Sequence, residues 1–213
     1  MKGNSHEQPD SKEVFTEIYK KGSWKGDVPS GPGSTLEATA LLRPKLRELF
    51  DRLDIQTLCD APCGDGSWIF EITKDLKYYF GFDVVSELVE SNLRKDLPLS
   101  HFFRVADLTA DILPAADAIL CRDCLVHFPL ETAQQTLNLF KRSGSRYVIT
   151  TTFPQHEVNI QARLGTRRPL NLQQPPFNFP DPTAIIAERA PDPEHEYSDK
   201  SLGFWRLTEI PTY

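Results

Sequence analysis

The sequence predicts an α/β fold: a doubly wound, mostly parallel, seven-stranded sheet with an N-terminal helical cap. Three observations carry that expectation. From residue 55 to residue 153 strand-like runs alternate with helical segments, the pattern of a parallel sheet with helices on both faces and right-handed crossovers. The first strand runs into Asp60-Ala61-Pro62-Cys63-Gly64-Asp65-Gly66, an acid followed by a tight turn of small residues. The second strand also ends in an acid, Asp83, seventeen residues beyond Gly66.

Residues 10–21 read as a short amphipathic helix. Asp10 can cap it, Glu13 stands three residues on, and Val14, Phe15, Ile18 and Tyr19 form one apolar stripe. A flexible segment, 22–34, follows with Trp24 and the run Ser30-Gly31-Pro32-Gly33-Ser34, which no regular element accommodates. Residues 35–53 read as a second helix that Pro44 bends or breaks. The core strands are expected at 55–60, 77–83, 101–106, 117–122 and 146–153, with helices beginning near Gly66 and covering 84–93 and 130–141. Residues 154–182 then lack helical periodicity and carry Pro154, Pro169, Pro175, Pro176, Pro180 and Pro182. A structureless stretch of that length in a compact domain is either functional or disordered. Its Arg168, Asn171, Phe177, Asn178 and Phe179 favour a pocket wall or lid. Two further strand-like runs, 183–188 and 203–210, are expected to pair as an antiparallel edge across a polar loop at 191–201. Together these readings give one domain, with a helical cap (1–54) continuous with a core (55–213).

A chain of 213 residues can bury one good core. Its net charge of −6, without any basic run, argues against a phosphate-neutralising surface and so against a nucleic-acid duplex as partner. Arg163, Arg167 and Arg168 form a local basic cluster. It is either a solvated loop or an anion-binding corner of a substrate pocket, since arginine clamps carboxylate or phosphate with two hydrogen bonds. No apolar stretch is long enough to cross a bilayer and the polar start is no signal peptide, so the expectation is a cytoplasmic protein without a membrane partner. The four cysteines, Cys59, Cys63, Cys121 and Cys124, fit reduced thiols better than a disulfide frame. Their spacings invite a zinc check, but strand alternation points some of the sulfurs apart, and no metal is expected.

A strand, a glycine turn and a helix start in succession make a site for a nucleotide-like ligand. Small residues let the backbone come close, the acid at the strand end can hold an ammonium or a hydroxyl, and an acid at the offset of Asp83 is where a ribose diol is expected. Adding Asp107-Leu108 after the third strand and Ala118-Ile119-Leu120-Cys121-Arg122-Asp123 along the fourth, the chain resembles the class I S-adenosylmethionine-dependent methyltransferases. Ser30-Gly31-Pro32-Gly33-Ser34 and Arg168-Pro169-Leu170-Asn171 also resemble a small bacterial branch of that family. The resemblance spans residues 10–210. It implies a Rossmann-like methyltransferase fold and S-adenosyl-L-methionine as cofactor. Asp60 would sit by the amino group of the cofactor's methionine part, with the turn from Ala61 through Pro62 and Gly64 to Gly66 passing beneath it. Asp83 would take both ribose hydroxyls. Val84 would press on the adenine, Asp107 would accept from its exocyclic amine with Leu108 alongside, and Arg122 would lie near the methionine end through its backbone. The family's usual first glycine of the loop is Pro62 here, which removes one N–H contact to the ligand. Asp107 is also open to reading as the cap of the following turn, and Asp83 as a turn residue.

Methyl transfer from a sulfonium is a displacement at carbon with a good leaving group, so alignment supplies most of the acceleration. A hydroxyl acceptor needs a base, and the candidates are Asp123 and His127, just beyond the fourth strand at the ligand-bearing edge. His127 either accepts a proton near neutral pH or packs and orients a loop; Asp123 either acts as base or caps the following turn. Trp24, Arg168, Asn171, Phe177 and Asn178 are the expected substrate contacts. Trp24, Phe177 and Phe179 read equally well as core, whereas a hydrophobic lid would shield the sulfonium from water. Trp205 is expected in the core, and His6 and His195 carry no functional case. The expected function is in-line methylation of a small-molecule or sugar-type acceptor on oxygen. A protein or RNA methyltransferase is the alternative, although the sequence offers no basic or aromatic array for RNA. A non-catalytic S-adenosylmethionine-binding module is the alternative from another class. A nicotinamide dehydrogenase lacks the third glycine of G-x-G-x-x-G, where Ile69 stands.

Overall fold

The computed structural model describes residues 10–24, 28–189 and 197–213. Strands β1 (Thr57–Asp60), β2 (Tyr78–Asp83), β3 (His101–Val105), β4 (Ala118–Cys121), β5 (Tyr147–Thr152), β6 (Ala184–Ala187) and β7 (Ser201–Arg206) form one seven-stranded sheet in the order β3-β2-β1-β4-β5-β7-β6. The first five run parallel, and β7 lies antiparallel to both β5 and β6. The two late strand-like runs thus do pair as an antiparallel edge.

Both faces are covered, which is why the central strands are apolar throughout rather than alternating. On β4, Ile119 and Cys121 join one core with Phe15, Leu137 and Trp205. Ala118 and Leu120 face the other with Leu46, Phe50, Ile69 and Phe204. Helix α1 (Ser11–Lys20) begins where Lys12 N donates to Asp10 Oδ1 at 3.0 Å, and it buries Phe15. Helix α2 (Leu42–Arg52) buries Leu42, Leu46, Leu49 and Phe50, one stripe at helical spacing. It starts later than residue 35 because Pro44 falls in its first turn, where a missing N–H costs nothing. Residues 35–41 form turns instead, with Thr39 N and Ala40 N bonded back to Thr35 O and Glu37 O.

Helix α3 (Phe70–Thr73) is shorter than expected from Gly66. The Asp65 carboxylate accepts from both Ser67 N and Ser67 Oγ, at 3.1 and 2.9 Å, and holds the chain in a turn first. Helices α4 (Ser86–Leu93) and α5 (Leu130–Arg142) lie where expected within two residues. The last strand ends at Arg206, short of residue 210. Its partner β5 runs out at Tyr147, and Glu209 N turns back to Arg206 O. Among the described residues no helix is long and apolar enough to cross a membrane. His6, His195 and residues 191–196 of the polar loop lie outside the described residues.

Residues 154–182 contain no helix or strand, yet their own polar side chains tie them to one another and to the turn after β4. Arg168 is buried, and its guanidinium donates to the carbonyls of Ile160, Leu125, Val126 and Phe128. Asn171 is also buried, and donates to Pro154 O and His156 O at 3.0 and 2.8 Å. Phe177 and Phe179 pack into the core with Trp205.

Candidate functional site

A cavity of about 500 Å³ opens at the carboxyl ends of the parallel strands and takes residues from β1, β2 and the turns after β3 and β4. The strand order reverses between β1 and β4, and an open α/β sheet leaves its ligand crevice at that point. Asp60, Asp83 and Asp107 follow one another along this rim, and Arg122, Asp123 and His127 continue it past β4.

Asp60 closes β1 and is 3% exposed. Tyr79 Oη, from the adjacent strand, donates to its Oδ2 at 2.6 Å. Burial pushes its carboxyl up to about 7; the Tyr79 hydrogen bond and the Arg122 charge oppose that rise, and the Asp83 charge adds to it. Asp83 closes β2, accepting from Gly64 N at 3.0 Å on Oδ2 and from Val85 N at 2.9 Å on Oδ1. Burial raises it to about 6 despite these backbone donors. Each of its oxygens keeps a second lone pair. Asp107 accepts from Thr109 N at 2.8 Å, so it does cap the following turn, while its other oxygen accepts from Ser11 Oγ at 2.5 Å and still lines the cavity.

The turn after β1 is fixed by its neighbours. Ala61 N donates to Leu120 O and Cys63 N to Phe82 O, both at 2.8 Å. Gly64 and Gly66 have φ of +55° and +65°, and a Cβ on Gly66 would run into the Phe70 ring. The segment 28–34 lies across this turn: Asp65 N donates to Ser30 Oγ at 2.7 Å and Ser67 Oγ to Ser34 O at 3.2 Å.

Past β4 the charges are interlocked. The Arg122 guanidinium, which lines the cavity, pairs with Glu188 at 2.6 Å, donates to Gly33 O at 2.9 Å and lies 5.1 Å over the Trp68 ring. Lys200 Nζ bridges Asp123 Oδ2 at 2.5 Å and Glu188 Oε2 at 3.1 Å. Burial disfavours ionised Asp123, but the Lys200 and Arg122 cations outweigh it and hold the carboxyl well below the usual carboxylate range. A carboxylate so held is a weak base. The side chain of Asp123 does not cap the next turn either; the residue stands at φ +53° with its N–H on Thr151 Oγ1.

His127 ends a short 3-10 turn, Leu125–His127, and is 9% exposed. Its Nδ1 lies 3.3 Å from Gly165 O. A carbonyl only accepts, so this contact requires the proton on Nδ1 and leaves the lone pair on Nε2. Burial lowers the imidazole below its usual value; nearby Asp123 and the Gly165 bond oppose that shift, and Arg167 and Arg168 add to it. Trp24 stands over the ring at 5.9 Å and Phe15 meets it edge-on at 6.4 Å, and both line the cavity.

Of the residues singled out from sequence, Asp60, Pro62, Gly64, Asp83, Val84, Asp107, Leu108, Arg122, Asp123, His127 and Trp24 meet at this cavity. Ala61 and Gly66 shape the turn without lining it. Four expected substrate contacts lie elsewhere. Arg168 and Asn171 are consumed by backbone carbonyls, Phe177 is fully buried in the core, and Asn178 is exposed at φ +53° away from the cavity wall. The expected pocket wall or lid over 154–182 is therefore corrected to a clamp on the turn after β4, of which Arg167 alone reaches the cavity among the described residues. Sequence reasoning missed Lys200 and the Tyr79 support of Asp60. Tyr79 comes from the adjacent strand and Lys200 from the residue before β7, and neither leaves a local signal. The four cysteines are free thiols, and no cluster among the described residues has three His, Cys, Asp or Glu side chains that could hold a metal.

No protein-family model matches the chain. It is 24% identical over 160 residues to the chloroplastic magnesium protoporphyrin IX methyltransferase of Arabidopsis thaliana. That match covers 72% of this chain and 50% of the relative, so the chain spans about half the length of the curated protein it matches. Among solved structures it is similar to magnesium protoporphyrin IX methyltransferase (ChlM) from Synechocystis PCC 6803 with bound SAM. The TM-score is 0.62 at 14% identity, covering 95% of this chain and 99% of that one. It is also similar to the methyltransferase domain of bacterial CtHen1-C, with a TM-score of 0.59 at 14% identity, covering 81% of this chain and 99% of that one. The chain has the Rossmann-like methyltransferase fold.

Proposed function

We propose that this chain is a class I S-adenosylmethionine-dependent methyltransferase that methylates a small-molecule acceptor, sugar-type molecules included, on oxygen. One observation carries the reading: three carboxylates, Asp60, Asp83 and Asp107, converge on a single cavity at the point where the strand order reverses. The donor set fits the cofactor. Acids suit an ammonium, a vicinal diol and an exocyclic amine, and Val84, Val85, Leu88 and Leu108 suit a flat ring between them. Asp60 would hold the ammonium, Asp83 the ribose hydroxyls and Asp107 the adenine amine. Pro62 offers no N–H there, and Gly64 N and Asp65 N already donate to Asp83 Oδ2 and Ser30 Oγ, so the turn's part is close approach rather than donation.

When bound, the cofactor supplies an electrophilic methyl group on a sulfonium. The chain's own part is alignment, dryness and proton removal. Phe15, Trp24 and Phe128 cover the His127 side of the cavity with apolar surface. Neutral His127, with its proton fixed on Nδ1, takes the acceptor's hydroxyl proton on Nε2. Asp123, held ionised by Lys200 and Arg122, contributes a fixed negative charge rather than a base.

S-adenosylhomocysteine at saturation should raise the melting temperature, because a ligand selective for the native state stabilises it. Methyl-labelled S-adenosylmethionine should then yield a labelled ether from a hydroxylated acceptor. An unchanged melting temperature at millimolar ligand would overturn the reading.

A further inference from the structure

The cavity wall is divided by charge. Asp60, Asp83 and Asp107 stand at the ends of β1 to β3, while Arg122, Arg167, Arg189 and Lys200 come from the β4, β5, β6 and β7 side. Arg122 and Lys200 are committed to Glu188 and Asp123. Arg167 is held differently. Its guanidinium lies 4.5 Å over the Tyr197 ring and 6.0 Å from the Phe153 ring, and those two rings meet edge-on at 5.8 Å. Among the described residues it forms no ion pair.

Stacking a guanidinium on aromatic faces restrains a flexible side chain while leaving its in-plane N–H fork open to a planar or tetrahedral oxyanion. Arg167 shares the cavity wall with His127 and Asp123, and its charge is felt by both. The adjacent Arg168 is turned inward onto four carbonyls, so the two neighbouring guanidinium groups have separate fates.

We propose, on the basis of the methyl-donor reading above, that Arg167 on its Tyr197–Phe153 seat is the clamp for an oxyanion of the acceptor, so that the acceptor is a small molecule carrying a carboxylate or a phosphate. A charge-assisted fork of this kind contributes discrimination of about tenfold or more over a neutral isostere. The competing occupant of the clamp is the carboxylate of the methyl donor itself, and the test separates the two.

The test is calorimetric titration of 4-hydroxybenzoate, 4-hydroxybenzamide and phenyl phosphate into protein saturated with S-adenosylhomocysteine. The expected result is binding of at least one anionic probe about tenfold tighter than the neutral amide, the tighter anion identifying carboxylate or phosphate as the group read. Arg167→Gln should abolish that preference, Arg167→Lys should restore part of it, and Arg163→Gln, off the cavity wall, should leave it intact. S-adenosylhomocysteine affinity should be the same in all four proteins. Equal binding of charged and neutral probes, binding of none, or a preference that survives Arg167→Gln would overturn the clamp. A loss of S-adenosylhomocysteine affinity in Arg167→Gln would assign the guanidinium to the donor and overturn it too. Failure of S-adenosylhomocysteine to bind the unaltered protein would instead overturn the methyl-donor reading, and the clamp with it.

Discussion

The turn after β1 and the segment after β5 both bring polar residues to the carboxyl ends of strands, and they use them in opposite ways. In the turn, backbone groups are satisfied by neighbouring strands: Ala61 N goes to Leu120 O and Cys63 N to Phe82 O. Its acids are therefore left facing a cavity. The segment 154–182 has no ladder to join. Its prolines lack N–H groups, so carbonyls outnumber backbone donors, and every buried carbonyl needs a partner. Asn171 and Asn159 supply those donors, and Arg168 supplies one to Ile160 O and the rest to the turn after β4, so all three are used up. Polar residues are used up where they must satisfy bare backbone; Arg167, seated on ring faces instead of carbonyls, is the one described residue of the segment left on the cavity wall.

Arg168→Ala tests the clamp half of this contrast and should have the largest effect. It strands the carbonyls of Ile160 and Phe128 and leaves those of Leu125 and Val126 with one backbone donor each, at a cost of about 3 kcal/mol in urea denaturation. Affinity for S-adenosylhomocysteine in the folded fraction should be unchanged. Unaltered stability with a raised acceptor KM would make the segment a pocket wall after all.

On the cavity side, His127→Gln should lower kcat about a hundredfold with cofactor affinity intact. The limb of kcat/KM that reports the free base should lie below the ordinary histidine value, because burial favours the neutral ring. An unchanged rate would reduce His127 to packing between Phe15 and Trp24. Asp83→Asn should weaken S-adenosylhomocysteine binding by about 2 kcal/mol, read by calorimetry, as charge-assisted bonds to the diol become neutral ones. Equal affinity would remove the ribose assignment.

The smallest effect is in pH dependence. Asp60 moves from an ordinary 3.8 to about 7 in the fold, and Asp83 from 3.8 to about 6. The folded ligand-free protein thus holds protons that the unfolded chain has released. The contribution of these two groups to stability should be full below about pH 4 and should decline as pH rises towards about 7, with a limiting slope of about 1.4 kcal/mol per pH unit for one group. Asp60→Asn should flatten that decline in denaturation curves taken across the range.

The contrast also explains what was legible in the sequence. Strand-helix alternation, the acids at 60, 83 and 107, and the late antiparallel pair are local patterns, and they located the sheet and the rim. Pro44 marked a helix start rather than a kink because the first turn tolerates a missing donor. The short α3 was hidden in the Asp65–Ser67 turn. The fates of Arg167 and Arg168 could not be told apart, since one faces the cavity and the other faces inward through a loop with no period. Lys200 and Tyr79 act across strands, at a distance no motif records.

The most direct measurement is a crystal structure with S-adenosylhomocysteine. It should contain the ligand's ammonium at Asp60, its ribose hydroxyls at Asp83 and its adenine amine at Asp107. A ligand bound elsewhere, or a cavity left without it at saturating concentration, would contradict the three-acid account.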